Sequence, residues 1–474
     1  MLRRIIDSPW FYFTLAGLLV IAGVLSQVEI HLPSRPFGEP EQIGELRERD
    51  DVNVLFIVID TLRADRLGGY GYDRPTSPML DTLARYGVRF DRVESQSTWT
   101  KCSMASLWTG LYPVRTGVTR FRHALPEAAL VPAELLREAG FRTGGIWRNG
   151  WLANNFGFGQ GFELYVRPHP SKTPERFEQR TPSTHPLLGN DFDATEAALE
   201  FMRTYADERF FLYVHYMDVH QYLYDQEAAK LAFGTSYSDA YDSAISWVDR
   251  NVGRLVQELQ EEDLLRRTLI VIASDHGEGF YEHDREGHAE TLYREVTEVP
   301  LIFSLPFALE EGVVVEPLVR NVDIWPTLLD LLGLPPLPEA DGQSLLPLIE
   351  AAARGDAPAG DPAAPPSAPA YLDRSWGTWG ENEREPDPLI SLRKGPLRLL
   401  YRSEASNSTE LYDHSSDPRE QRNLASVQPE RVAELRRESE EKLTGTIPWG
   451  ETPEVEIDAM HVEQLRALGY VHGD

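Results

Sequence analysis

An α/β domain built on a doubly wound, mostly parallel sheet is the architecture this sequence predicts, with a small α+β subdomain at its C-terminal end and a transmembrane helix at its N-terminal end. Three observations point there. Apolar runs of strand length, NVLFIVID, FFLYVHYMD and TLIVIASD, each stop at an aspartate. Helical patterns alternate with these runs. An uncharged segment from Ser8 to Val28 follows Arg3 and Arg4.

Residues 1–28 read as an N-terminal membrane anchor. Phe11 to Leu25 is almost wholly apolar, near the minimum length for crossing a bilayer. The preceding arginines predict a catalytic body on the periplasmic or extracellular side. A cleaved signal peptide is the alternative; the lack of a small-x-small site directly after Leu25 favours the anchor. With Cys102 as the single cysteine, no intramolecular disulfide can form. Residues 29–52 contain prolines and many charges and read as a linker.

The catalytic domain is expected over residues 53–354. Its helices are PMLDTLARYG, ALVPAELLREAG and a long one from about Tyr237 to Gln260, and its strands include VRFDRVES, FRTGGIW and VPLIFSLP besides the three runs above. Residues 355–370, GDAPAGDPAAPPSAPA, read as an exposed Pro/Ala-rich loop. In the C-terminal subdomain, 371–474, PLISLRKGPLRLLYRS and TELYDHSSDP read as strands of a small antiparallel sheet, followed by a helix from about Pro429 to Leu443. The net charge of −29, from 75 acidic and 46 basic side chains, excludes nucleic acid as a natural partner.

Asp60 and the pair Asp275-His276 close two of the apolar runs, where open α/β sheets meet their ligands. A carboxylate and an imidazole side by side suit a divalent cation, with Gly277 letting the backbone turn around it; a capped loop is the bland reading. Thr100 lies in a small-residue turn entering a helical stretch, where free N–H groups favour an oxyanion. It reads either as a nucleophile whose alkoxide a cation stabilises or as a plain N-cap. Among the histidines, His215 reads as buried structure, whereas His220, His283 and His288 could each act in a site. Asp218 or these histidines could also hold a second metal. Cys102 reads as packing, and Asp323 as an acid at a helix start.

Through NVLFIVIDTLRADRLGGYGYDRPTSPMLDTLARYGVRF, TGLYPVRTGV, VIASDHGEGFYEHDREGHAETLYREVTEVPLIF, VDIWPTLLDLLGLP with DGQSLLPL, and ELYDHSSDPREQRNLA, the chain resembles the sulfatase branch of the alkaline phosphatase superfamily over about Asn53 to Val471. The resemblance implies that Asp60, Thr100, Asp275 and His276 surround the metal, and that the neighbouring second Asp of many sulfatases is Thr61 here. It also implies that Thr100 takes the place of the residue converted to formylglycine, that His220 and His288 contact the ester oxyanion or assist the leaving group, and that Arg115 supports the nucleophile loop. The formylglycine signature Cys-x-Pro/Ala-x-Arg is absent, the aligned residues being Thr100, Lys101, Cys102, Ser103 and Met104. Thr100 is therefore expected to attack directly.

These readings converge on a membrane-anchored, metal-dependent hydrolase of an anionic sulfate or phosphate ester carried on a glycan, lipid or small molecule. The alternatives are a phosphodiesterase or phosphoethanolamine-type transferase of the same superfamily, and a catalytically silent binding protein with the sulfatase fold. Oxygen and imidazole ligands admit Ca²⁺, Mg²⁺, Mn²⁺ or Zn²⁺.

Overall fold

A computed structural model describes residues 35–168, 177–178, 189–222, 224–225, 233–356, 366–378, 382–403 and 408–456. The expected membrane anchor lies outside them. No helix among the described residues is long and apolar enough to cross a membrane.

Among the described residues, eight strands form the main sheet: β1 (Asn53–Ile59), β2 (Val88–Glu94), β3 (Arg142–Ile146), β4 (Leu164–Val166), β5 (Phe210–Tyr216), β6 (Thr268–Ala273), β7 (Glu298–Ser304) and β8 (Val313–Arg320). Their spatial order is β8-β2-β7-β6-β1-β5-β3-β4. Only β7 pairs antiparallel with its neighbours, β2 and β6. The central strands are buried on both faces, which is why they read as unbroken apolar runs. Alternate residues feed two cores: Val54, Phe56 and Val58 pack on one side of the sheet, and Leu55, Ile57 and Ile59 on the other.

Helices α1 (Pro78–Arg85), α2 (Thr100–Thr109), α3 (Asp191–Thr204), α4 (Tyr237–Glu261) and α5 (Ile324–Leu331) cover the sheet. Helix α3 escaped the sequence reading, although Asn190 and Asp193 form a reciprocal cap at its start. Strands β4 and β8 escaped it too.

Residues 29–52 were expected to be a linker, but from Arg35 onward the chain docks on the domain. The Arg35 guanidinium donates to Ser304 Oγ at 2.6 Å and to the Leu305 carbonyl at 2.8 Å. Ile43 and Leu46, three residues apart on a short helical segment, bury their side chains. The anchoring residues were hidden among the prolines and charges.

A second correction falls on the 355–370 loop. Strand β9 begins at Ser367 and runs to Asp373, because Ala368, Ala370 and Leu372 alternate into the core. Pro369 is tolerated since β9 is the edge of its sheet. Strands β10 (Pro388–Lys394), β11 (Leu397–Arg402) and β12 (Glu410–Asp413) complete that antiparallel sheet, and α6 (Pro429–Lys442) packs on it.

This subdomain is bonded to the main sheet through buried charge. Arg398 pairs with Glu94 at 2.6 Å and Glu420 at 2.7 Å, and Arg393 pairs with Glu94 at 2.7 Å and Glu298 at 2.6 Å. Charges this deeply buried persist only with such partners.

Candidate active site

Strand register dictates the first convergence. Val58 of β1 pairs with Ala273 of β6, so two residues on, at the carboxyl edge, Asp60 stands level with Asp275. Thr61 then turns the chain sharply, with φ at 60°. This left-handed conformation costs about 1 kcal/mol or more in a β-branched residue. It is held by three bonds: the Thr61 N–H donates to Asp275 Oδ1 at 3.3 Å, its hydroxyl donates to the Asp60 carbonyl at 2.7 Å, and the Tyr241 hydroxyl donates to the Thr61 carbonyl at 2.6 Å.

Gly277 is required for a different reason than the sequence suggested. Its φ is not left-handed; instead a Cβ there would meet the Glu295 carbonyl oxygen at 2.2 Å. That close approach lets Gly277 N–H bond the Val296 carbonyl and Glu278 N–H the Glu295 carbonyl, pinning the loop that carries Asp275 and His276.

Asp60, Asp275 and His276 are wholly buried, and one ligand atom from each lies within 4.8 Å of the others. Among the described residues, Asp60 Oδ1 and Asp275 Oδ2 have no hydrogen-bond partner. His276 Nε2 stands 3.8 Å from the first and 3.4 Å from the second. Burial, together with the Asp275 carboxylate, pushes Asp60 well above the usual carboxylate range, and burial also raises Asp275. Two desolvated carboxylates facing one another call for a cation. The donor set, two hard oxygens and an imidazole nitrogen, fits the divalent metal that the sequence reading implied.

His276 is oriented for that role. Its Nδ1 lies 3.0 Å from the Gly277 carbonyl, which can only accept, so in the neutral ring the proton sits on Nδ1 and the Nε2 lone pair points into the site. Thr100 Oγ1 is 3.3 Å from that Nε2. Thr100 is not the cap of α2; Trp99 occupies the cap and Thr100 is the first helical residue. Its hydroxyl therefore turns to the site, and the N–H groups of the first turn lie beside it.

Two site residues escaped the sequence reading. Asn149, three residues beyond β3 on the same sheet edge, donates through Nδ2 to Asp60 Oδ2 at 2.8 Å and reaches Thr100 Oγ1 at 3.3 Å. Its place just past a strand's carboxyl end was the available signal. His215, read as buried structure, is indeed buried, yet its Nε2 is 3.7 Å from Asp60 Oδ2 and neither ring nitrogen has a hydrogen-bond partner among the described residues. Burial and the Arg148 charge push it down to about 3, so it is neutral.

His288 and His220 extend the imidazole row. The His276 and His288 ring centres are 4.5 Å apart, and those of His288 and His220 are 4.8 Å apart. Glu278 Oε1 accepts from His288 Nδ1 at 3.0 Å. Burial lowers His220 and His288 well below the usual imidazole range, each further lowered by a neighbouring histidine.

The remaining candidates stand elsewhere. Arg115, beyond the far end of α2, donates to Asp341 Oδ1 at 2.6 Å and to the Glu339 carbonyl at 3.0 Å, bracing the chain that follows the helix. Asp218 is consumed by Arg148, by the Asp191 N–H at 3.0 Å and by Trp247 Nε1 at 3.0 Å. His283 pairs with Glu295 at 2.7 Å. Asp323 pairs with Arg320 at 2.6 Å at a helix start. Cys102 is buried, and burial pushes its thiol up to about 12, as expected of a packing residue.

Known proteins share this arrangement of elements. A stretch of 196 residues is 32% identical to arylsulfatase K of Gallus gallus, covering 41% of this chain and 35% of that protein. A longer one of 347 residues is 26% identical to N-acetylgalactosamine-6-sulfatase of Rattus norvegicus, covering 63% of this chain and 65% of that protein. The chain thus matches less than two thirds of the length of either curated relative. The solved phosphonate monoester hydrolase of Agrobacterium radiobacter shares the fold, with a TM-score of 0.62 at 19% identity over 82% of this chain and 96% of that one. The family model described as Sulfatase matches residues 52–334, and the chain belongs to the sulfatase family.

Proposed function

We propose that the protein is a divalent-metal-dependent hydrolase of sulfate or phosphate esters in which Thr100 is the nucleophile. One observation carries this reading: a threonine hydroxyl at a helix start lies 3.3 Å from both His276 Nε2 and Asn149 Nδ2, beside two buried carboxylates that each keep an oxygen without a hydrogen-bond partner among the described residues. A silent binding protein would have no chemical need of that combination.

Asp60, Asp275 and His276 would hold the metal, with Thr100 against it. A bound divalent cation would polarise the ester oxygen and favour ionisation of the threonine hydroxyl. Asn149 fixes both Asp60 and the Thr100 hydroxyl, and the first-turn N–H groups of α2 face negative charge. Thr100 Oγ forms a bond to sulfur or phosphorus while the bond to the leaving oxygen breaks. Water then cleaves the threonyl ester, restoring the hydroxyl. His288, oriented by Glu278, and His220 beside it are the groups placed to meet charge on the leaving oxygen.

Glycans are the substrates that one relative's name supports, N-acetylgalactosamine-6-sulfatase. The uncharged run from Ser8 to Val28 after two arginines supports a membrane anchor with the catalytic domain on the periplasmic or extracellular side. Turnover of 4-nitrophenyl sulfate, phosphate and phenylphosphonate with Ca²⁺, Mn²⁺ or Zn²⁺ tests the reading. Metal-dependent release from at least one is expected, abolished in Thr100→Ala; unchanged turnover in that variant ends the assignment.

A further inference from the structure

The C-terminal subdomain reaches toward the site through the Trp376 side chain. Strand β9 ends at Asp373, and the turn behind it presents Trp376. The turn is firmly built: Asp373 Oδ1 accepts from the Ser375 N–H at 2.9 Å and from its hydroxyl at 2.7 Å, and Arg120 pairs with Asp373 and donates to Ser375 Oγ at 3.1 Å. The Phe121 N–H donates to the Trp376 carbonyl at 2.8 Å.

From that support the indole meets the Trp151 ring edge-on, with ring centres 6.2 Å apart, and makes two further contacts that each fall one residue from a group of the site. It stacks on Trp99, the residue before Thr100, with ring centres 4.4 Å apart and planes inclined by 23°. Its Nε1–H donates at 3.2 Å to the carbonyl of Ala289, the residue after His288. Ala289 is itself held in the left-handed conformation, with φ at 61°. An alanine there relaxes unless its surroundings hold it.

We propose that Trp376 is a positioning residue through which the C-terminal subdomain fixes the separation of Thr100 and His288. The stack sets the entry to α2, and the indole N–H holds the strained peptide that aims His288. The subdomain is then an integral part of the site. This rests on the roles given above to Thr100 and His288.

The full chain carrying Trp376→Phe or Trp376→Ala tests it. Phenylalanine keeps the stack and loses the N–H; alanine loses both. Amide hydrogen exchange, which needs no turnover, is expected to quicken about tenfold over residues 287–291 in Trp376→Phe, with 99–103 unchanged, and over both segments in Trp376→Ala. Turnover of phenyl sulfate, whose leaving oxygen needs help, is expected to drop about tenfold in Trp376→Phe, with 4-nitrophenyl sulfate within about twofold of wild type. Unchanged exchange over 287–291 overturns the proposal, and so does a loss of turnover equal for the two esters. Should Trp376→Ala fail to fold, Trp376→Phe decides. Should the wild type cleave neither ester, the exchange result alone decides, and quickened exchange would then uphold the clamp while the ester reading falls.

Discussion

His276 joins the two halves of the site: its Nε2 stands 3.3 Å from Thr100 Oγ1, while its Nδ1 is fixed on the Gly277 carbonyl at 3.0 Å. A nitrogen with its lone pair aimed at a buried hydroxyl either accepts that proton or shares a cation with the oxygen. Both lower the cost of making the threonine a nucleophile. Thr100→Ala is therefore expected to lose at least about 10³-fold in kcat, and Thr100→Ser, which keeps the oxygen, to retain measurable turnover. Steady-state kinetics on the best ester check this; a Thr100→Ser variant as dead as Thr100→Ala counts against direct attack.

The facing carboxylates of Asp60 and Asp275 make a stability prediction. A carboxyl raised above its unfolded value binds its proton more tightly in the folded chain. The metal-free protein should therefore lose stability as pH rises through the range above about 4, where the unfolded groups ionise. Added Mn²⁺ or Zn²⁺ should raise the thermal midpoint at pH 7.5, with the gain fading toward pH 4.5. Asp60→Asn removes one of the opposed charges, so it should leave the metal-free protein at least as stable while abolishing the metal response. Scanning calorimetry with and without metal reads both; an undiminished metal response in Asp60→Asn would refute the ligand assignment.

Arg115 separates a structural from a catalytic role. Its guanidinium is taken up by Asp341 and Glu339, and the Tyr112 N–H donates to the other Asp341 oxygen at 2.7 Å. Arg115→Ala is expected to cost about 1–2 kcal/mol of stability, the range for a partly buried, charge-assisted bond. At a temperature well below its melting point it should keep kcat within about threefold. Chemical denaturation and kinetics on one preparation decide; a thousandfold loss of kcat in a fully stable protein would place Arg115 in the chemistry.

How much of this could be read beforehand follows from which forces act locally. Asp60 and Asp275-His276 stood out because a central strand buried on both faces is a continuous apolar run, so the first polar residue after it marks the sheet edge. The helix after Thr100 was legible from its small residues. Asn149 was not, since β3 is short and glycine-rich and the apolar signal stops at Trp147. Whether the side chain of His215 faced Asp60 or the core depended on the parity of one strand against its neighbours, which one sequence cannot give. The docking of Arg35 on Ser304, across 269 residues, has no local trace at all. The same holds for Trp376, whose role exists only once β9 is placed.

His283 yields the clearest pH test away from the metal residues. Burial alone would lower it, but Glu295 at 2.7 Å, reinforced by the Glu420 carbonyl at 3.1 Å, raises it to about 9. The Tyr293 ring stacks on it at 3.8 Å. Because the folded value exceeds the unfolded one, about 6.5, the stabilisation is complete below pH 6.5 and drains away as pH climbs through 9. Solvent screening at this half-buried position trims it to about 1–2 kcal/mol. His283→Gln should therefore be less stable than wild type by that amount at pH 6 and nearly equal to it at pH 9.5, read from urea midpoints. Since Glu295 and its neighbour Val296 also pin the Gly277–Glu278 backbone, the loss at pH 6 should come with faster amide exchange over residues 275–279. A stability gap that widened with rising pH would reverse the sign and refute the pairing.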